Sequence, residues 1–214
     1  MKTQILNNVV KYYEGAKDGH GLDHIKKVVE NLSNLITIHE KRTGEKVNRE
    51  VLLTAALYHD AGSKIDRKRH HIISAEIVRN EEYLRNIFTE EEIELIATMC
   101  EEHRSSGGPC SNIYSAMLND ADSLLDSIYN LVERTWTYNH NHKPNASEEE
   151  IYNVAYEHLK EKFGRNGYQQ YRTEYARELL KELMEKVYYT LENEEEFKKV
   201  YNQVSIDKGM NIMI

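Results

Sequence analysis

The sequence predicts an all-α protein. Three observations lead there. Apolar residues recur at steps of three and four over most of the chain, the spacing that lines one face of a helix. Only two prolines and ten glycines interrupt 214 residues, so helix breakers are scarce. No stretch shows the alternation of apolar and polar residues, bounded by turn signals, that marks a half-buried strand.

The elements follow in order. Leu22, Ile25, Val28, Val29, Leu32 and Leu35 form the stripe of an amphipathic helix. Val51 to Leu57 is apolar nearly all round, so that helix is expected to be buried. Ile72, Ile73, Ala75, Ile77 and Val78 open another, and Glu90–Met99 and Ile113–Val132 give two more. "SEEE" at Ser147–Glu150 is a capping box, with Gly164 as the stop. Tyr175, Leu179, Leu180, Leu183, Met184 and Val187 share a helical phase within Tyr171–Leu191, and Phe197–Met210 is weakly helical at its start. This makes about eight helices. Polar or glycine-bearing breaks fall at 15–21, 44–48, 62–69, 105–111 and 139–147. The last separates an expected core, residues 1–138, from a C-terminal helical extension, 139–214, packed on it.

Composition narrows the function. Charged residues make up 30% and hydrophobic residues 40%, as in soluble globular proteins. A net charge of -8 argues against long nucleic acid as a partner. Cys100 and Cys110 are too few for a disulfide framework and read as cytosolic thiols. "MKTQILNNVVKYYEG" lacks the apolar core of a signal peptide. No apolar run approaches the roughly 18 residues that span a bilayer. The expectation is a cytoplasmic protein with no membrane partner.

The chemistry starts at "LYHDAG", Leu57–Gly62. A buried apolar helix ends there in His59 and Asp60. Desolvating a carboxylate is costly unless it is paired, although this pair alone also fits an ordinary helix end. His24 lies on the same stripe as Val28 and Leu32. Asp122 has Leu118 four residues before it and Leu125 three after, so it too faces an apolar side. One divalent metal would resolve all three anomalies, and imidazole with carboxylate suits first-row ions.

This pattern resembles the HD-domain phosphohydrolase superfamily. It has a histidine in "GHGLDHIKKV" (His24), an adjacent pair in "ALYHDAG" (His59, Asp60) and a distant aspartate in "NDADSLLD" (Asp122). The likeness covers about residues 20 to 130. "RTWTYNHNHKP" and the segment from "SEEEIYNVAYEHLK" to "FGRNGY" also look like the C-terminal lobe of an uncharacterised bacterial HD subgroup. The resemblance implies an HD-domain helical bundle with additional C-terminal helices. It also implies a metal held by His24, His59, Asp60 and Asp122.

"HDAGSK" and "HHIISAE" are similar to elements of two-metal members, which places His70 as a ligand, His71 as the alternative by one residue, and Ser74 where a glycine is usual. "CEEHRSS" offers His103, with Glu102 where a second histidine is common. His70 and His103, sharing Asp60, would hold a second ion. Otherwise they bind substrate phosphate or are surface-loop histidines.

The implied activity is metal-dependent hydrolysis of a phosphate ester or anhydride of a small phosphorylated molecule, nucleotides included. The ion is one or two of Fe, Mn, Mg, Ni, Co or Zn. Asp60 would ligate the metal and accept a proton from water. Lys64 would assist catalysis, and Lys64, Arg104 and His20 would contact the substrate. Lys64, Arg67, Lys68 and Arg69 in "SKIDRKRHH" form a local basic reversal in an acidic chain. The competing classes are a non-catalytic nucleotide- or metal-binding regulatory module and an HD-type diiron oxygenase. Asp120 and Asp126 are expected to face solvent, with support of the metal ligands as the alternative for either; His140 and His142 are expected in a polar loop, with metal binding as the alternative, and His158 is expected to pack a helix.

Overall fold

A computed structural model describes residues 2–14, 21–104, 106 and 108–210. Among them are eleven helices and no strand. None of the described helices is long and apolar enough to cross a membrane. The chain divides into two compact units, 1–124 with 171–177, and 125–170 with 178–214.

In the first unit α1 spans Lys2–Tyr13, α2 Leu22–Thr43 and α3 Arg49–Tyr58. α4 (His70–Asn80), the short α5 (Glu82–Arg85), α6 (Glu90–Glu102) and α7 (Ile113–Ser123) complete its set of whole helices. α2 buries Ile25, Val28, Leu32 and Leu35 of the expected stripe together with Ile36, leaves Leu22 and Val29 half-buried, and closes on Gly44 at φ 76°, where a left-handed conformation is needed. Every side chain from Val51 to Tyr58 of α3 is buried. α3 is thus the central rod, packed by α1, α2, α4, α6 and α7, and Asn48 caps its start by accepting from the Glu50 and Val51 amides. Thr89 and Glu92 form a capping box at α6.

α1 falls in a stretch the sequence had marked only as lacking a leader. Ile5, Val9 and Tyr13, four residues apart, are all buried, and the Tyr13 hydroxyl donates to the Leu57 carbonyl at 2.8 Å.

The second unit holds α8 (Ile128–His142), α9 (Glu148–Phe163), most of α10 (Glu174–Glu192) and α11 (Glu194–Asp207). Its core is aromatic: Tyr152, Tyr156, Phe197 and Tyr201 pack ring against ring. The predicted capping box at Ser147 and the stop at Gly164 are both present.

Three boundaries differ from expectation. The single helix predicted over Ile113–Val132 is two. The chain turns extended at Leu124 (φ -64°, ψ 124°), and Ser127 caps a new helix by accepting from the Asn130 amide. α8 then runs through the break expected at 139–147 as far as His142, so the position 138 taken as a boundary lies inside a helix. α10 starts at Glu174 rather than Tyr171, because residues 172 and 173 are held off the helix by Asp120.

Candidate metal centre

Two helix ends and two helix faces converge on the end of α3. His59 is the residue that closes α3, and His59 and Asp60 are 0% and 1% exposed. α2 brings His24 and α7 brings Asp122. Their registers are pinned by Asn31 of α2, which donates to the Ala121 carbonyl of α7 at 3.0 Å. His24 Nε2 then stands 3.0 Å from Asp122 Oδ1 and 3.7 Å from Asp60 Oδ2. His59 Nε2 stands 3.5 Å and 3.6 Å from the same two oxygens.

The other side of Asp60 faces a second group. His70 opens α4 and His103 closes α6. Their Nε2 atoms lie 3.3 Å and 3.7 Å from Asp60 Oδ1 and 3.1 Å from each other. Asp60 therefore points one oxygen at each set.

The tautomers follow from the hydrogen bonds. Nδ1 of His59, His70 and His103 lies 2.8, 2.7 and 2.7 Å from the carbonyls of Ala56, Arg67 and Cys100. A carbonyl only accepts, so each Nδ1 carries the hydrogen, and each ring in its neutral form presents a lone pair at Nε2. His59 Nε2 is buried and makes no hydrogen bond within normal limits. The Nε2 lone pairs of His59, His70 and His103 thus confront carboxylate oxygens across gaps of 3.3 to 3.7 Å. Ligand atoms about 2.1 Å from a common ion stand roughly 3.0–3.5 Å apart, so the spacing fits a divalent cation in each set. His24, His59 and Asp122, and likewise His59, Asp60 and His103, are close enough to share one.

Electrostatics agree. Burial by itself pushes His59 down, but the charges of Asp60 and Asp122 outweigh it and raise the ring to about 9. Burial opposes the Asp122 charge, and the facing His24 and His59 rings still hold its carboxyl well below the usual range. His103 is pushed down to about 3 by burial and then by the charge of His59.

The remaining sequence candidates separate. His70, not His71, turns its ring to Asp60. Lys64 is exposed and its ammonium donates to the Glu14 carbonyl at 2.6 Å, while Arg104 Nη1 donates to the Lys68 carbonyl at 3.0 Å and clasps the basic loop. Glu102 accepts from the amide and hydroxyl of Ser111. His20 lies outside the described residues.

Three expectations are overturned. Asp120 does not face solvent: it is 0% exposed and accepts from the amides of Arg172 and Thr173 and the Thr173 hydroxyl. Its partners lie some 50 residues away, beyond reach of local spacing. His140 and His142 end α8 instead of sitting in a loop. His140 stacks on Trp136 at 3.6 Å and meets Glu148 at 2.9 Å. His158 is exposed on α9.

Ser74 was legible only as a departure from the family pattern. Its hydroxyl accepts the Gly62 amide at 3.0 Å, tying the His-Asp turn to α4. Gly62 matters by proximity rather than by positive φ, since a Cβ there would lie 2.6 Å from the His70 carbonyl.

Comparison with curated proteins and with solved structures returned no match. The HD domain family model matches residues 21–126, a span that contains all six converging residues. That superfamily is one of metal-dependent phosphohydrolases. Residues 21–126 of this chain are an HD domain.

Proposed function

We propose that the chain is a metal-dependent phosphohydrolase, cleaving a phosphate ester or anhydride of a small phosphorylated molecule, with nucleotides the first class to test. The supporting observation is Asp60, whose two buried oxygens each confront a pair of imidazole nitrogens. His24, His59, Asp122 and Asp60 Oδ2 would hold one ion; His70, His103 and Asp60 Oδ1 would hold a second. Bound divalent ions there supply a water of lowered pKa and neutralise charge on phosphoryl oxygens.

In this reading Asp60 joins the two halves, so its lone pairs are committed to cations more than to a proton from water. Arg104 follows His103 directly and uses Nη1 on Lys68. A guanidinium has five donors, which leaves Arg104 able to take phosphate oxygens beside the second set. Lys64, turned onto Glu14, is the weaker candidate. The negative net charge of the whole chain favours a small substrate over a polyanionic polymer.

The test is a panel of phosphate esters and anhydrides assayed after loading with Mn, Mg, Fe, Co, Ni or Zn. Turnover is expected with at least one ion and is expected to vanish in His59→Ala and Asp60→Ala. Turnover that survives both variants would exclude this centre as the catalyst. Oxygen consumption by the iron-loaded protein, with no phosphate release, would assign it to oxygenase chemistry instead.

A further inference from the structure

We propose that Asn119 is a positioning residue for the second ion. Through the backbone of His103 it sets where that imidazole stands, and so it governs the affinity of one half of the centre and not the other. The inference rests on the two-ion reading above.

Asn119 is fully buried in α7, three residues before Asp122. Its Nδ2 donates to the carbonyls of Glu102 at 3.2 Å and His103 at 2.9 Å. These carbonyls lie at the end of α6, where no further helical amide follows to bond them. The ring of His103 is in turn fixed to Cys100 by its Nδ1. A continuous chain of contacts therefore runs from α7 through the Asn119 amide and the end of α6 to His103 Nε2, and on to Asp60 Oδ1 and His70 Nε2.

His103 needs such an anchor more than His59 does. His103 keeps helical backbone angles (φ -69°, ψ -18°), but no helix or turn continues at residue 104. After His59 it continues in a bonded turn, Ala61 amide to Tyr58 carbonyl and Ser63 amide to Asp60 carbonyl. α7 thus serves both sets by different means: Asp122 reaches the first directly, and Asn119 holds the second at one remove. Without the amide, the buried His103 carbonyl loses its donor, the Glu102 carbonyl keeps only the weak Cys110 thiol, and the last turn of α6 relaxes. Metal–ligand distances tolerate shifts of only about 0.2 Å, and loss of a supporting hydrogen bond typically costs 10- to 100-fold in metal affinity.

The experiment titrates metal-free protein with Co(II), read by calorimetry and by ligand-field absorption. Wild type is expected to show two steps. Asn119→Ala should weaken the second about 10- to 100-fold and leave the first within about twofold. Asn119→Asp, which keeps the shape but sets an oxygen against both carbonyls, carries the same test if the alanine variant does not fold. His103→Ala should abolish the second step, and adding Asn119→Ala to it should change nothing more.

A merely structural asparagine would lower both steps together and would add to His103→Ala, and either result would overturn the proposal. Two wild-type steps that both survive in the Asn119 variants would overturn this role alone. A single step in wild type would overturn the two-ion reading and this role with it.

Discussion

The two sides of Asp60 use the same ligand types and differ in charge and mounting. On one side His24 and His59 meet two carboxylates, Asp60 and Asp122. On the other, the carboxylate that His70 and His103 meet among the described residues is the shared Asp60. The contrast shows in how each set treats a proton: burial disfavours the cation in both, yet His59 is raised to about 9 while His103 is lowered to about 3. The mounts differ too. His24 lies in the first turn of a 22-residue helix, and His59 ends a helix buried along its length. His70 is the first residue of α4, and His103 follows the last residue of α6. A cation should therefore bind the first set more tightly, and the second should respond more to its surroundings.

The largest effect should come from the one residue common to both sides. Asp60→Asn removes the charge each ion shares, so metal analysis should find both lost. Activity should fall about a thousandfold or more, because metal stabilisation of a phosphoryl transition state is worth several kcal/mol. Retention of one tight ion would show that the sides are more independent than their geometry indicates. Next come the single-side deletions. His103→Ala should leave a protein with one ion, and His59→Ala should lose the tighter one. Equal losses in the two variants would erase the proposed asymmetry.

Gly62→Ala is a more local probe. The added Cβ would meet the His70 carbonyl at 2.6 Å and the Ile73 side chain at 2.7 Å, so the first turn of α4 must shift and His70 with it. Weaker binding at the second set, with the first unchanged, is the expected titration.

How much of this was legible depends on how far each signal reaches along the chain. The all-α class and the stripe of α2 were readable because helical period is a local property. His24, His59, Asp60 and Asp122 were readable because each breaks an apolar pattern, and His70 and His103 through the resemblance alone. The supports were not. Asp120 looks like a solvent residue until Thr173 arrives from 53 positions away. Asn119 looks like any helical asparagine until the end of α6 is brought against it. His140 carries the same residue type as the candidate ligands, yet both of its ring nitrogens already have partners, Trp136 and Glu148. What separates it from His59 is an Nε2 with nothing to bond, which only packing reveals. The helix break at Leu124 was hidden because apolar residues continue through it and only Ser127 marks the restart.

The smallest expected effect tests the tie between the two sides. Ser74 lies in α4, four residues after His70, and its hydroxyl accepts the Gly62 amide just beyond Asp60. Ser74→Ala leaves that buried N–H without an acceptor, a cost of about 1–3 kcal/mol. For a chain of this size each kcal/mol lowers Tm by about 2–4 °C. The metal-free protein should therefore melt about 2–12 °C lower. Because the bond joins the His-Asp turn to the helix that carries His70, the second ion should weaken slightly more than the first. If Tm falls while both titration steps hold, Ser74 stabilises the turn without transmitting position. If melting does not change either, water replaces the hydroxyl at Gly62, and the two sides are held in register by α3 and α7 alone.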